Sequence, residues 1–105
     1  MSAIADPIHI LQDWYASQCN GRWEHGYGVS IATLDSPGWA FKANLDDTAL
    51  AGRRFDDVQF DGEHPHDWYT CAVRGNFFES ACGPNHLRTV IDLFLKWANE
   101  EPLRA

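Results

Sequence analysis

The segment WYTCAVRGNFFESAC at residues 68–82 decides the fold that we predict for this chain. Trp68 to Val73 and Phe77 to Cys82 are two runs of residues that favour strands, and Arg74-Gly75-Asn76 between them has the composition of a turn. Two such runs joined by a short turn predict an antiparallel hairpin. We therefore expect an antiparallel sheet to form around this segment.

A helix is predicted directly after the hairpin. Gly83-Pro84 precedes the helical pattern, and because proline is tolerated at the first helical position, we expect the helix to begin there. Arg88, Asp92 and Lys96 recur every four residues, which is typical of a solvent-exposed helical face with salt bridges. We expect Pro102 to end this helix. The other face is apolar and predicts burial against the sheet: Leu87, Val90, Ile91, Phe94, Leu95 and Ala98.

A second hairpin and a second helix are predicted upstream. Tyr27 to Thr33 and Trp39 to Leu45 both alternate larger apolar residues with small or polar ones, which indicates strands with one buried face. The turn-forming residues Asp35 to Gly38 lie between these strands. The first helix is predicted to begin at Asp6-Pro7, where the aspartate can cap free N–H groups, and to end at Asn20-Gly21.

Residues 46–67, between the two hairpins, have the weakest pattern. Arg53 to Phe60 is compatible with a short edge strand, and Asp61 to Asp67 with a polar loop. The order of elements places the chain in the α+β class. We predict an antiparallel meander sheet of four to five strands, with the N-terminal and C-terminal helices packed on one face. A chain of 105 residues is expected to form a single domain.

Composition and charge disfavour several classes of function. The chain has 8 Lys and Arg against 15 Asp and Glu, a net charge of −7, and both nucleic acids and anionic membrane surfaces require a basic face. We therefore expect no direct nucleic acid partner and no membrane partner. No secretion signal is visible, and no stretch approaches the roughly 20 apolar residues of a membrane span. Three cysteines without a CxxC pair favour a reducing, cytoplasmic location.

Cys82 is the strongest enzymatic candidate in the sequence. The spacing Cys82-x5-Arg88 occurs where a thiolate nucleophile sits in an anion-binding nest at a helix N-terminus, as in Cys-dependent phosphatases and sulfurtransferases. Pro84 removes one N–H donor from such a nest, and the antiparallel pattern differs from the parallel cores of those enzymes. We favour an inert residue at a strand end, and we keep a sulfurtransferase or phosphatase-like enzyme as the alternative.

Two clusters containing histidine are weaker candidates. His64 and His66, in an acidic surrounding, could recruit a metal ion, but no third ligand stands at a recognisable spacing, so a solvated loop is favoured. Glu24 and His25 could form an acid–base pair after Trp23, but no serine or cysteine accompanies them. We favour the start of a strand, with Trp23 packed on the core. The sequence thus predicts no catalytic residue, no cofactor and no metal.

An acidic segment, Asp56–Asp67, is the clearest candidate for binding a partner. Its twelve residues contain five acids and no Lys or Arg. The carboxylates could face a basic partner and speed association with it. Trp23 and Trp68 are additional candidates, because tryptophan is a common interface anchor. The acids of this segment are Asp56, Asp57, Asp61, Glu63 and Asp67.

Several stretches resemble the immunity protein 53 family of bacterial polymorphic toxin systems. They follow one another in a single order over nearly the whole chain. The spacing between Trp23-Glu24-His25 and Pro37-Gly38-Trp39 is unusual, although none of the motifs is a catalytic signature. The matching stretches are Leu11 to Tyr15, Gln18-Cys19, Gly21 to His25, Gly28, Thr33 to Trp39, Asp67-Trp68, Cys71, Gly83 to Asn85 and the helix ending near Trp97.

The resemblance implies a small, acidic, bacterial protein of the cytoplasm that binds and neutralises a cognate toxin domain. It implies a single immunity-protein-like domain over residues 1–105 and a non-enzymatic mode of action. Nuclease toxins are typically basic, and an inhibitor with a net charge of −7 could mask a phosphate-binding cleft. The identity of the toxin, the contact residues and the oligomeric state are not encoded in these motifs.

Overall fold

The structure, a computed structural model, describes residues 6–100. Three helices and five strands follow one another within these residues. The helices are α1 (Pro7–Gln18), the single turn α2 (Trp23–Gly26) and α3 (Leu87–Ala98). The strands are β1 (Val29–Leu34), β2 (Gly38–Asn44), β3 (Val58–Asp61), β4 (Trp68–Arg74) and β5 (Phe77–Cys82).

The five strands form one antiparallel sheet, which confirms the predicted α+β class. Their spatial order is β1-β2-β5-β4-β3, so both predicted hairpins are present. The order is not a simple meander, because the chain crosses from β2 to the far edge, forms β3, and returns through β4 and β5 to pair with β2. This order places β5 at the centre, between β2 and β4, and Phe41 of β2 and Phe78 of β5 are fully buried.

Both long helices cover the same face of the sheet, as predicted. The ring of Phe94 on α3 is completely buried and packs against those of both Phe41 and Phe78, with centroids 5.4 and 4.9 Å away. Trp14 of α1 meets Phe94 edge to face at 5.0 Å. Burial of these rings is the main source of stability, and it ties both helices to the sheet.

The start of α3 differs from the prediction. The helix begins at Leu87, and Pro84 lies in a turn before it. The N–H of Gly83 donates to the carbonyl of Trp68, and the carbonyl of Pro84 accepts from the indole of Trp39. These bonds hold the segment against the end of the sheet, where it cannot enter the helix. Pro102, predicted to end the helix, lies outside the described residues.

Two further segments differ from the prediction. Trp23 does not begin a strand but lies in α2. The side chain of Asn20 supports this turn by accepting from the N–H groups of Arg22 and Trp23, both at 2.9 Å. Glu24 reciprocates by accepting from the N–H groups of Asn20 and Gly21. The edge strand predicted at Arg53 to Phe60 is present but shorter, at Val58–Asp61.

Candidate partner-binding surface

The face of the sheet opposite α1 and α3 is a shallow surface with a floor of small side chains. Cys71, Phe78, Ser80 and Cys82 are buried beneath the helices, and since side chains alternate along a strand, their neighbours point the other way. A depression of about 460 Å³ lies on this side. The residues of its floor and rim include Ala40, Lys42, Thr70, Ala72, Glu79 and Ala81.

The acidic segment borders this open face through β3. Asp61 stands directly opposite Trp68 in the pairing of β3 with β4, and directly opposed residues share a face. Gln59, also on that face, donates from its side chain to the Asp61 carboxylate at 3.0 Å. The structure therefore brings together two of the predicted binding residues, Trp68 and Asp61.

The five acids of the segment have different electrostatic surroundings. Asp56 pairs with Arg54 at 2.9 Å, and Asp57 pairs with Arg74 at 3.6 Å; all four side chains are highly exposed, so solvent weakens both pairs. Within residues 6–100, neither Asp61 nor Glu63 forms an ion pair with a lysine, arginine or histidine. The uncompensated negative charge is thus concentrated at the Trp68 end of the segment.

The loop that carries Glu63 is fixed to the rest of the fold by Asp67. The carboxylate of Asp67 lies 2.5 Å from Nε2 of His86, and Nδ1 of His86 lies 3.2 Å from the Thr89 hydroxyl in the first turn of α3. The backbone of Asp67 also accepts from the N–H of Gly62 at 2.6 Å. Asp67 therefore acts as an anchor of the loop, and its charge is partly satisfied within the protein.

Close contacts between backbones also shape this end of the sheet. The N–H of Gly83 donates to the carbonyl of Trp68 at 2.9 Å, and a methyl group added to Gly83 would lie 1.7 Å from the carbonyl oxygen of His66. Only glycine fits there without displacing the loop. Three stretches that are distant in sequence, at residues 38–39, 66–68 and 83–84, therefore meet beside the acidic segment.

Trp23, another predicted anchor, lies in the interior. Only 2% of its surface is exposed, and its indole N–H donates to the carbonyl of Asp46 at 2.8 Å. Its ring packs edge-on against that of Trp14 at 6.0 Å. A partner cannot reach Trp23 in this arrangement, so the structure does not bring it to the surface that Trp68 and Asp61 share.

The surroundings of Cys82 are the opposite of those of a reactive thiolate. Cys82 is completely buried, and burial raises the pKa of its thiol, whereas nucleophilic cysteines have a lowered pKa and an exposed sulfur. Arg88 is exposed on α3, where it pairs with Asp92 at 3.8 Å. The arrangement needed by the alternative enzymatic hypothesis is therefore not formed.

The two clusters containing histidine have structural explanations. Backbone N–H groups, those of Glu24 itself, Asn20 and Gly21, lower the pKa of the Glu24 carboxyl, which accepts hydrogen bonds from Asn20 and Gly21. The side chain of His64 accepts from the N–H of His66 at 3.1 Å, as in a local turn. Within residues 6–100, no group of three His, Cys, Asp or Glu side chains could hold a metal ion.

His86 is a site residue that the sequence analysis missed. It connects the acidic segment to α3, and its ring lies 5.1 Å from that of Tyr69 and 6.0 Å from that of Phe60. His86 and Asp67 are separated by 19 residues, and no local pattern links them. Only the pairing of β3, β4 and β5 brings them together.

Sequence and fold define a small α+β protein with a net charge of −7. The chain belongs to the immunity protein 53 family, whose family model matches residues 8–99, and the predicted resemblance is confirmed. Membership suggests a role in neutralising a toxin. Neither the curated proteins nor the solved structures contain a match to the chain. In the part of the chain that the structure describes, no helix is long and apolar enough to cross a membrane.

Proposed function

We propose that this protein is a non-enzymatic immunity protein that neutralises a cognate polymorphic toxin domain in the bacterial cytoplasm by binding it. Membership of the immunity protein 53 family supports the immunity role. The observation that carries the proposed binding mode is the direct opposition of Asp61 and Trp68 on the open face of the sheet. A carboxylate beside a half-buried indole combines electrostatic attraction with an apolar anchor.

The toxin binds at the acidic segment, and Trp68 is the central contact. Asp61 and Glu63 carry most of the attraction, because Asp56, Asp57 and Asp67 already have cationic or histidine partners. The small side chains of the adjacent floor, such as Ala81 and Thr70, allow a partner to approach the sheet closely. Trp23 is not part of this surface, since it is buried.

A basic nuclease is the class of toxin that this surface suits best. Proteins that bind nucleic acid concentrate lysine and arginine where phosphates bind, and exposed carboxylates on a rigid loop can occupy the same positions. The Asp67–His86 contact and the close approach at Gly83 provide that rigidity. The toxin would then be inhibited because its phosphate-binding cleft is covered.

The proposal predicts that a neighbouring reading frame encodes a cognate toxin domain, and this domain is the partner for the test. Cells that express this toxin are expected to survive when the intact chain is co-expressed. Trp68→Ala should weaken binding by about 2 kcal/mol or more, mainly through faster dissociation, whereas Trp68→Phe should retain most of the affinity. Tight binding that is unchanged in Trp68→Ala, with the variant still folded, would place the interface elsewhere. No binding and no protection by the intact chain would refute the immunity role.

A further inference from the structure

The two edge strands of the sheet are protected to very different degrees. β3 has only four residues, ends in Asp61 and follows Asp56 and Asp57. β1 has six residues, VSIATL, and within residues 6–100 it pairs with β2 alone, without a bulge from Val29 to Leu34. β1 contains no charged residue and no proline, the devices that normally prevent an edge strand from pairing with another chain.

The outer edge of β1 presents backbone groups at known positions. The N–H of Asn44 donates to the carbonyl of Gly28 at 2.9 Å, so Gly28 bonds toward β2. Because hydrogen-bonding direction alternates along an antiparallel strand, the N–H and C=O groups of Val29, Ile31 and Thr33 point away from β2. These three residues are the ones to which an added strand would bond.

The side chains of β1 are uncharged on both faces of the sheet. Ile31 lies directly opposite Phe41, which is buried beneath the helices, so Ile31 faces the helix side. Side chains alternate along a strand, so Val29 and Thr33 share that side. The residues of β1 on the open side are Ser30, Ala32 and Leu34.

An apolar groove runs along this edge on the helix side, between β1 and α1. Its volume is about 480 Å³, and the described residues that line it include no charged side chain. Five large apolar residues are markedly exposed within residues 6–100, and three of them line this groove: Ile8 at 54%, Ile31 at 40% and Tyr15 at 39%. A strand added to β1 would therefore bury apolar side chains beside α1.

The sequence of β1 itself has the pattern that this edge requires. Around a two-fold axis beside Ile31, antiparallel pairing places Val29 opposite Thr33 of a second copy and the two Ile31 residues opposite each other. All of these residues bond outward, so the backbone groups of the two copies match, and directly opposed side chains stay together on the helix side. On the open side, Ser30 meets Ala32 of the second copy, and no charge is brought in.

Charge also selects this edge for contact between two copies. Each chain has a net charge of −7, so two copies repel each other, and their contact is least unfavourable where neither carries a charge. On the open side, Lys42 lies in register with Ser30 on the neighbouring strand, and it is paired with Glu79 at 3.6 Å. A charged strand from another protein would therefore find no unpaired opposite charge on β1 or its neighbour β2.

We infer that the β1 edge and the α1–β1 groove form a dimer interface, at which two copies of this chain join their sheets into one antiparallel sheet of ten strands. Ile8 and Tyr15 of both copies lie beside the two Ile31 side chains on the helix side. The contact spans only about 20 Å of strand, so the dimer is weak and reversible. β3 lies at the opposite edge of the sheet, so both acidic edges stay open, and the dimer does not depend on the proposed toxin interface.

The inference is tested by sedimentation equilibrium of the intact chain at concentrations from about 10 μM to about 1 mM. We expect an equilibrium between monomer and dimer. The dimer should strengthen several-fold between about 0.05 M and about 0.5 M salt, because screening weakens the repulsion between two chains of like charge. A chain that stays monomeric up to about 1 mM at the higher salt, or a dimer that weakens as salt rises, would overturn the inference.

Two matched variants assign the dimer interface to β1. Ile31→Lys and Phe60→Lys change residues of nearly equal exposure, 40% and 39%, on opposite edge strands, and both change the net charge equally. Ile31→Lys should weaken the dimer at least tenfold, because a charged side chain blocks strand pairing, whereas Phe60→Lys should leave its Kd within about twofold. Equal losses in both variants would contradict the assignment.

A mixed sample of isotope-labelled and unlabelled chains identifies the occupant of the groove. We expect nuclear Overhauser contacts between chains among Ile8, Tyr15 and Ile31. Contacts from residues 1–5 of the same chain in their place, or contacts between chains centred on residues 56–67, would overturn the inference.

Discussion

The two edges of the sheet differ in charge and in the length of the edge strand. At the β3 edge, carboxylates surround a short strand, and the following loop is tied to α3 through Asp67 and His86. At the β1 edge, an uncharged strand of six residues faces an apolar groove. We propose that the first edge attracts a partner over a distance, and its charge and short length resist strand pairing, whereas the second presents backbone groups and apolar area.

The position of a strand in the sheet does not by itself determine its role. β1 and β3 are equivalent in topology, since each has only one neighbour. They differ in the charge and length of their sequences. Both depend on the same core under α1 and α3, so a change in the core should affect both edges, and a local change should affect only one.

Phe94→Ala is expected to have the largest effect on stability, because it removes the ring that packs against both the sheet and α1. Phe94 is fully buried among Phe41, Phe78 and Trp14, and truncation of such a ring costs about 3–5 kcal/mol of unfolding free energy. Urea unfolding measures the change. Arg88→Ala, on the exposed face of the same helix, is the control and should stay within about 0.5 kcal/mol. A loss below 1 kcal/mol for Phe94→Ala would show that the buried face of α3 is assigned incorrectly.

Gly83→Ala should damage only the acidic edge. The new methyl group would collide with the carbonyl oxygen of His66, so the loop must shift, at an expected cost of about 1–3 kcal/mol. Gly28→Ala, at the β1 edge, meets nothing within 4 Å and should change stability by less than about 0.5 kcal/mol. Unfolding free energies and amide shifts of residues 61–67 check both expectations. If the two alanine variants were equally stable, the close packing of this end of the sheet would be in doubt.

The thiols of the central strands should give a smaller effect that depends on pH. Burial raises the pKa of Cys71 to about 12, whereas a cysteine thiol in the unfolded chain has a pKa of about 8.5. Both states keep the proton below about pH 8.5; above it the unfolded chain ionises first, so stability falls with rising pH until about pH 12. Cys71 alone should cost roughly 1 kcal/mol by pH 9.

Thiol labelling checks the same prediction residue by residue. At pH 8, exposed Cys19 should react in the native protein, whereas Cys71 and Cys82 should react only when the chain unfolds. Unfolding free energies measured at pH 7 and pH 9 give the predicted loss of stability directly. Rapid labelling of native Cys82 below pH 7 would contradict its burial and would favour the Cys-dependent enzyme.

Local sequence patterns were sufficient for the hairpins and for the buried stripe of α3. The alternation in β2 and the spacing of Val90, Ile91 and Phe94 report burial within a single element, so each could be recognised without its neighbours. The start of α3 was predicted wrongly because Pro84 is a good local signal for a helix start. Contacts of the adjacent glycine with Trp68 and His66 override that signal.

Features that depend on long-range pairing could not be predicted. An edge strand was predicted near β3, but not that it pairs with β4 at the edge opposite β1, because this follows from which strands compete for the centre. Trp23 was predicted to pack on the core and was also kept as a candidate anchor. Its indole reaches the carbonyl of Asp46 in the interior, which confirms the packing and excludes the anchor. The charge run at residues 56–67 was recognised, but its ion pairs with Arg54 and Arg74 were not.

The smallest expected effect tests the central claim most directly, namely that the acidic edge receives the toxin. Replacing Asp61 and Glu63 by lysine raises the net charge from −7 to −3, since each of the two replacements changes it by two. Replacing Asp35, between β1 and β2, and Asp92, on α3, by lysine makes the same change outside the acidic segment. Stopped-flow measurements give the rate constant for association of each variant with the cognate toxin domain.

At low salt the first variant should associate several-fold more slowly than the second. The difference should largely vanish near 0.5 M salt, where the Debye length is roughly 4 Å. Equal association rates of the two variants at low salt, or a slower rate for the Asp35 and Asp92 variant, would contradict the account and move the toxin-binding surface away from the β3 edge.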